Sequence, residues 1–158
     1  MTTLRRATPA DAEALTRLRG LMHLAMGDEL TDEWYDAGVA VFARRLGSES
    51  FVAFVIEDEG EVVSGGAGWL EEHLPSPYAV DSRRGCIASM STDPAHRRNG
   101  YARQVFGALM EWFAEQGVPR VDLRATEDGQ PLYTSFGFQV LGGTTMAWSA
   151  TGTRPGMT

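Results

Sequence analysis

Residues 93–106, DPAHRRNGYARQVF, place two arginines and a glycine directly before a segment with helical periodicity. The first turn of a helix leaves backbone N–H groups unpaired and carries a partial positive charge, so it can bind an anion. Gly100 lets the backbone approach a bulky anion closely, and Arg97 and Arg98 add guanidinium groups that pair well with phosphate oxygens. The segment therefore predicts a phosphate or pyrophosphate site. Taken alone, the same residues are equally compatible with a turn whose arginines face solvent.

Side chains near predicted strand ends are the candidates for acid–base chemistry. Glu71 and Glu72 follow a predicted strand, and either could act as a general base, although a solvated loop is the simpler interpretation. Cys86, the only cysteine, is expected to be a small buried side chain and not a nucleophile. The glycine-rich run at 64–69 fits a strand that bulges or lies against a ligand better than a nucleotide-binding loop, because no helix follows it. No metal site is predicted.

A series of helices and strands must position these residues. The first helix is expected to begin at Thr8 with Asp11 in its first turn, and the second begins at Thr31. A third helix follows the arginine-bearing segment and ends at Gly117. The resulting order is ααβββαβαββ, a mixed α/β (α+β) architecture around one central sheet. Strands are predicted at 51–58, 61–70, 84–92, 121–126, 138–142 and 144–150, with a short helix at 131–136.

Length and composition bound the class of protein. The 158 residues contain no repeat or linker, so one domain is expected over 1–150, followed by a flexible tail at 151–158. The net charge of −7 argues against a nucleic-acid partner, since phosphate backbones attract clustered lysine and arginine. Neither a signal peptide nor a run of about 18 apolar residues is visible, so we expect a cytoplasmic protein with no membrane partner.

Two motifs in this order of elements resemble the GNAT superfamily of acetyl-CoA-dependent N-acetyltransferases. The run RRNGYA at 97–102 matches the family's phosphate-binding pattern, Arg/Gln-x-x-Gly-x-Gly/Ala, and STDP stands directly before it. The run PLYTSFGF at 131–138 resembles the family's tyrosine-bearing short helix and Gly-Phe turn. The resemblance covers residues 4 to 149. It implies a GNAT-like fold, with a mostly antiparallel twisted sheet flanked by helices and room for a further short strand at the N-terminus.

The resemblance also implies acetyl-CoA as co-substrate, no metal, and roles for particular residues. Tyr133 would be the general acid for the departing CoA thiolate. Asp128 stands near where many relatives place an asparagine that touches the cofactor arm, and the strand 86–92 lacks the carboxylate that some relatives use as a base. The pantetheine arm would pair with Met90, Ser91 and Thr92, and the pyrophosphate would bind Arg97, Arg98, Asn99, Gly100, Tyr101 and Ala102.

The acceptor is expected to be a small primary amine or an amino-terminal group of a peptide. The segment 23–36 is acidic and carries Trp34 and Tyr35, so it could attract a cationic amine through Asp28 and Glu29. Helix capping at a solvated surface is the alternative interpretation of the same residues. A second hypothesis for the whole protein is a non-catalytic module that binds or senses acyl-CoA. A homodimer is also expected, because dimers are common in the resembling family.

Overall fold

The structure is a computed structural model, and it describes residues 1–153 of the chain. The described residues form two compact units, residues 1–123 and residues 124 onward. The single domain expected over 1–150 therefore stays a prediction. Of the tail expected at 151–158, residues 154–158 lie outside the described residues. The α-helices and β-strands of the described residues follow in this order: β1 (Thr2–Arg6), α1 (Ala12–Ala25), α2 (Asp32–Arg45), β2 (Phe51–Asp58), β3 (Glu61–Glu72), β4 (Arg83–Thr92), α3 (Tyr101–Gln116), β5 (Val121–Leu123) and α4 (Gln130–Ser135).

The first unit is built on a five-stranded sheet with the strand order β1-β2-β3-β4-β5. Strands β1 to β4 pair antiparallel in succession, and β5 pairs parallel to β4. The mixed α/β architecture with a mostly antiparallel sheet is thus confirmed. The strand β1 fills the N-terminal position for which the resemblance left room. Among the described residues, no helix is long and apolar enough to cross a membrane.

Local capping explains where the first two helices begin. The Thr8 N–H donates to Asp11 Oδ2 at 2.8 Å, and the Asp11 carboxylate also accepts two bonds from Arg5 of β1, at 2.8 and 2.9 Å. The pKa of Asp11 is lowered, chiefly by these Arg5 hydrogen bonds. At the second helix, the Thr31 hydroxyl accepts from the Trp34 N–H at 3.1 Å. The start predicted at Thr31 is confirmed by this bond. The helix predicted from Thr8 begins instead with a short 3-10 turn at Pro9–Asp11, and α1 begins at Ala12.

Glycines on β3 and β4 let the helices approach the sheet closely. A Cβ on Gly65 would lie 3.1 Å from Leu15 Cδ2 of α1, whereas a Cβ on Gly68 would lie 2.9 Å from Phe113 Cζ of α3. Helix α1 therefore packs on one face of the sheet and α3 on the other. The register between β3 and β4 shifts beside the glycine run, between Gly65 and Ala67, but the extra residue lies on β4, where Ser89 and Met90 together face Gly66. The glycines of the run serve close packing of helices on both faces.

The predicted pair of closing strands at 138–142 and 144–150 is wrong, since neither segment forms a strand in the described chain. The apolar side chains that suggested these strands are exposed to solvent: Val140 is 78% exposed and Trp148 is 86% exposed. A strand needs a hydrogen-bonded neighbour, and no described strand pairs with these segments. Gly143, at a φ of 107°, adds a conformation that a regular strand does not use. The strand predicted at 121–126 is also shorter, ending at Leu123.

Adding one methyl group at Gly85 should destabilise the first unit. A Cβ there would lie 2.5 Å from Cε1 of Phe113 and 3.0 Å from Cγ2 of Val121, both in the packed layer under α3. We expect Gly85→Ala to lower the free energy of unfolding by about 1–3 kcal/mol, the usual cost of overpacking a core. Gly47→Ala is the matched control, because its Cβ would meet only the Arg44 carbonyl oxygen at 3.7 Å. Equal denaturant midpoints for the two variants would contradict this packing.

Candidate active site

The loop between β4 and α3 is held in place by its own polar groups. The Asp93 carboxylate accepts from the Ala95 N–H at 3.0 Å and lies 3.5 Å from the guanidinium of Arg17 on α1. The Asn99 side-chain amide donates to the His96 carbonyl at 3.0 Å. The Asp93 N–H also donates to the Val63 carbonyl of β3 at 2.8 Å, so the loop is connected both to α1 and to the sheet. Asn99, predicted to bind the pyrophosphate, therefore already has one structural hydrogen bond through its side chain.

The first turn of α3 presents backbone N–H groups that have no protein partner. Gly100 is the residue that caps this helix, and with no side chain it cannot accept a bond from the first turn. Within residues 1–153, the N–H groups of Gly100, Tyr101 and Ala102 donate to no protein acceptor. Gly100 has a φ of 73°, and the space where its Cβ would stand is open to 4 Å. Donors at this helix start are therefore free to bind an anion.

Two exposed arginines adjoin these donors. In the described part of the chain, neither Arg97 nor Arg98 forms an ion pair with a carboxylate. Arg98 also has a positive φ of 67°, which is uncommon for a residue with a side chain. The structure thus brings the predicted loop residues together as an exposed, positively charged rim around unpaired donors.

One edge of β4 is open beside this loop. β5 pairs with β4 only through Gly85, Cys86 and Ile87, and no described strand follows residues 88–92 on that edge. At the bulge, Ser89 has a φ of 61°, and Ser89 and Met90 together oppose the single residue Gly66. A bulge leaves one residue outside the regular ladder, so backbone groups here remain available to a ligand.

The residues whose backbone is predicted to pair with the cofactor arm have side chains with structural roles. Ser91 Oγ donates to the Leu18 carbonyl at 2.8 Å, and Thr92 Oγ1 lies 2.8 Å from Ser64 Oγ. The Met90 sulfur lies against Gly66, where any Cβ would displace it. Binding along β4 would therefore use the backbone of these residues, since their side chains face the protein.

A cavity of about 370 Å³ lies between the first two helices and the middle of the sheet. Trp34 and Phe42 of α2, Phe51 of β2 and Trp69 of β3 supply aromatic surface to its wall. It reaches Ala88 and Ser89, at the bulge of β4. Two arginines, Arg19 and Arg45, complete the polar part of the lining.

The acidic segment contributes one residue to this cavity. Trp34 lines it, whereas Asp28, Glu29 and Tyr35 do not. Asp28 Oδ2 lies 2.7 Å from His23 Nδ1, so this carboxylate already has a partner. Attraction of a cationic acceptor by the segment stays a prediction.

Of the two candidate bases, Glu71 is the one linked to the cavity wall. The Trp69 indole N–H donates to Glu71 Oε1 at 2.8 Å, and His73 Nε2 lies 3.0 Å from the other oxygen. The Trp69 bond, followed by His73, lowers the pKa of Glu71. Glu72 alternates to the opposite face of β3.

Cys86, opposite Trp69 in the ladder, is a poor nucleophile in this fold. Burial raises its pKa to about 12, and the nearby charge of Glu71 adds to the effect. The thiol is therefore protonated at neutral pH, as expected for a structural cysteine.

Tyr133 belongs to the second unit, on α4. Its ring packs near Gly129, whose Cβ would lie 3.0 Å from Tyr133 Cε2, and its centroid is 6.5 Å from that of Phe138. Burial raises the pKa of the hydroxyl above its ordinary value of 10.0. Asp128 is exposed in the turn that precedes α4. A hollow of about 510 Å³ in this unit, beside Glu127, contains none of the predicted site residues.

The arginines of the cavity were not anticipated from the sequence, yet α1 carries a signal for one of them. Arg19 lies four residues after Leu15 and one after Leu18, on the stripe of α1 that faces the core. A charge within such a stripe is uncommon and indicates either a partner or a ligand site. Arg45 has no comparable signal, because it stands at the end of α2 beside another arginine.

Known proteins share both the sequence pattern and the fold. The chain is 36% identical over 86 residues to the uncharacterized N-acetyltransferase YsnE of Bacillus subtilis (strain 168), which covers 51% of this chain. That match spans about half, 52%, of the length of the curated relative.

Two solved structures superpose over nearly the whole chain. A GCN5-related N-acetyltransferase from Ralstonia eutropha JMP134 is 28% identical, with a TM-score of 0.84 over 96% of this chain and 100% of the other. A predicted acetyltransferase from Clostridium acetobutylicum, solved with acetyl-CoA, is 23% identical. Its TM-score is also 0.84, over 93% of this chain and 96% of the other. The model of the acetyltransferase (GNAT) family matches residues 16–138. The chain therefore belongs to the GNAT family of acetyltransferases.

Proposed function

We propose that the protein transfers the acetyl group of acetyl-CoA to the primary amine of a small molecule or peptide. The observation that carries this proposal is the set of unpaired N–H donors at Gly100, Tyr101 and Ala102, beside open space. A diphosphate fits these donors because charge-assisted bonds from several amides and from Arg97 and Arg98 can converge on its oxygens. The open edge of β4 at 88–92 would pair with the pantetheine arm as an added strand does.

We place the thioester of acetyl-CoA at the bulge of β4. Because Ser89 and Met90 together oppose Gly66, a strand N–H in this region is released from the ladder. Such a donor could stabilise the oxyanion of the tetrahedral intermediate. The cavity next to Ala88 and Ser89 would then hold the acceptor amine.

Direct attack by the amine requires its neutral form. An amine with a pKa near 10.4 is neutral in about one molecule in 10³ at pH 7, so removing its proton costs about 4–5 kcal/mol. We propose Glu71 as the base, acting through a water, with its lowered pKa keeping it ionised across the neutral range. A partly apolar cavity also disfavours the ammonium form.

Collapse of the intermediate breaks the carbon–sulfur bond as the amide forms. The electron pair goes to sulfur, and Tyr133 would supply the proton that turns the thiolate into free CoA. The proton that the attacking nitrogen loses as the amide forms would pass through solvent to the Tyr133 oxygen and restore its hydroxyl. The raised pKa of Tyr133 suits the role of general acid, because the hydroxyl stays protonated through the physiological range. An acetyl-cysteine intermediate is disfavoured, since the pKa of Cys86 is raised to about 12. Initial-rate patterns that intersect would agree with direct attack from a ternary complex.

Incubation with acetyl-CoA and a panel of amines tests the proposal. We expect free CoA thiol to appear only with some amines, and mass spectrometry to show those amines heavier by one acetyl group. A reaction without amine measures background hydrolysis. If acetyl-CoA bound but no small or peptide amine released thiol, the result would favour a non-catalytic acyl-CoA-binding module. Sedimentation of the same sample would test the expected homodimer.

A further inference from the structure

The acceptor cavity is basic, on a protein whose net charge is −7. Arg19 and Arg45 both line it, and no carboxylate is among its described lining residues. The rest of the wall is mostly aromatic or aliphatic. A cavity that binds only a cationic amine would be expected to have an acidic lining.

Of the two arginines, Arg19 is the stronger indication of an anionic ligand. It is half-buried on α1, and within residues 1–153 its guanidinium has neither an ion pair nor a hydrogen bond to protein. Burial alone lowers its pKa, with no neighbouring charge to compensate. A partly desolvated arginine without a partner costs stability, so its presence calls for an anion that binds there.

Arg45 is held in a fixed orientation by aromatic rings. Its guanidinium carbon lies 4.6 Å from the centroid of Phe51 and 5.2 Å from that of Trp69. The two rings are themselves stacked, with centroids 6.1 Å apart and planes 15° from parallel. A cation–π contact uses the charge of the guanidinium and not its N–H donors, so these donors can serve a ligand.

We propose that the acceptor is an α-amino acid with an apolar or aromatic side chain, whose carboxylate binds Arg19. This inference rests on the proposed function. The aromatic wall suits the side chain of such an acceptor, and about 370 Å³ lies within the usual range for small-ligand sites. The reach of the cavity to Ala88 and Ser89 would bring the α-amine to the thioester. A carboxylate is favoured over a phosphate because a dianion loses more hydration in so apolar a space.

L-Phenylalanine and phenethylamine form the decisive pair, because they share the amine and the ring and differ by the carboxylate. After correction for the neutral fraction of each amine, we expect kcat/KM to be at least about 10-fold higher for phenylalanine. Arg19→Gln should lower the phenylalanine value by about 10- to 100-fold and leave phenethylamine nearly unchanged. Arg44→Gln, which removes the same charge outside the cavity lining, should change neither.

Equal kcat/KM values for the pair would overturn the inference while leaving the acetyltransferase proposal intact. Preference for O-phosphoethanolamine over β-alanine would overturn the choice of carboxylate. If no amine is acetylated, the proposed function fails, and binding of N-acetyl-L-phenylalanine by calorimetry then decides the carboxylate site alone. Binding that Arg19→Gln weakens supports the site, and binding that it leaves unchanged overturns it.

Thermal stability separates a ligand-binding role for Arg19 from a structural one. Arg19→Met keeps an unbranched apolar stem and removes an unpaired, half-buried charge. We expect its melting temperature to equal or exceed that of the parent protein. A clear fall in melting temperature would assign Arg19 to the fold and overturn the proposal.

Discussion

Gly100→Val should weaken CoA binding by about 10²- to 10⁴-fold, which corresponds to losing two charge-assisted hydrogen bonds of about 1.5–3 kcal/mol each. Two physical effects combine at this position. The φ of 73° is accessible to glycine but strained for a β-branched residue, so the loop would rearrange. The added side chain would also occupy the open space through which an anion reaches the donors of Tyr101 and Ala102.

Gly60→Val is the matched control for backbone strain. Gly60 has a φ of 83° and the same open surroundings, but it lies in the hairpin between β2 and β3. Titration calorimetry with CoA should therefore show parent-like affinity for Gly60→Val, even where the hairpin loses stability. Parent-like affinity in Gly100→Val would refute the assignment of this loop to the pyrophosphate.

Tyr133→Phe should lower kcat by about 10²-fold, at the low end of general-acid effects, because a thiol of pKa about 8.5 is already a fair leaving group. The ring that packs near Gly129 and Phe138 is retained, so the fold of this segment should persist. CoA affinity should stay close to that of the parent protein, and Tyr78→Phe, at a residue 99% exposed, should leave kcat unchanged. A Tyr133→Phe enzyme with full turnover would remove Tyr133 from the mechanism.

The features that were predictable from the sequence depend on a few neighbouring residues. The cap at Thr31, the glycine before α3 and Gly117 at the end of α3 each act over one turn of chain. Their conformations are set by local hydrogen bonds and by the φ angles open to glycine. The proposal that residues 97–102 bind an anion therefore needed no tertiary contact.

Apolar patterning was less dependable where packing had to decide the outcome. The pattern at 138–150 is that of two strands, yet these residues form none, because strand formation requires a partner edge that no local signal supplies. The same limit applies to β5, which ends at Leu123 and so leaves one edge of β4 unpaired. Sheet edges result from pairings between distant segments.

By itself, the sequence determined the order of most elements, the caps of the helices and the glycine-bearing loop that marks the GNAT family. Tertiary structure decided the lining of the cavity that we propose for the acceptor: it placed Arg19 of α1 and Arg45 of α2 on one cavity with Phe51 and Trp69. It also showed that the acidic residues of 28–36 lie outside that cavity. Of this segment, Trp34 lines it. The physical reason is that charge in a pocket depends on which side chains converge from separate elements, and packing sets that convergence.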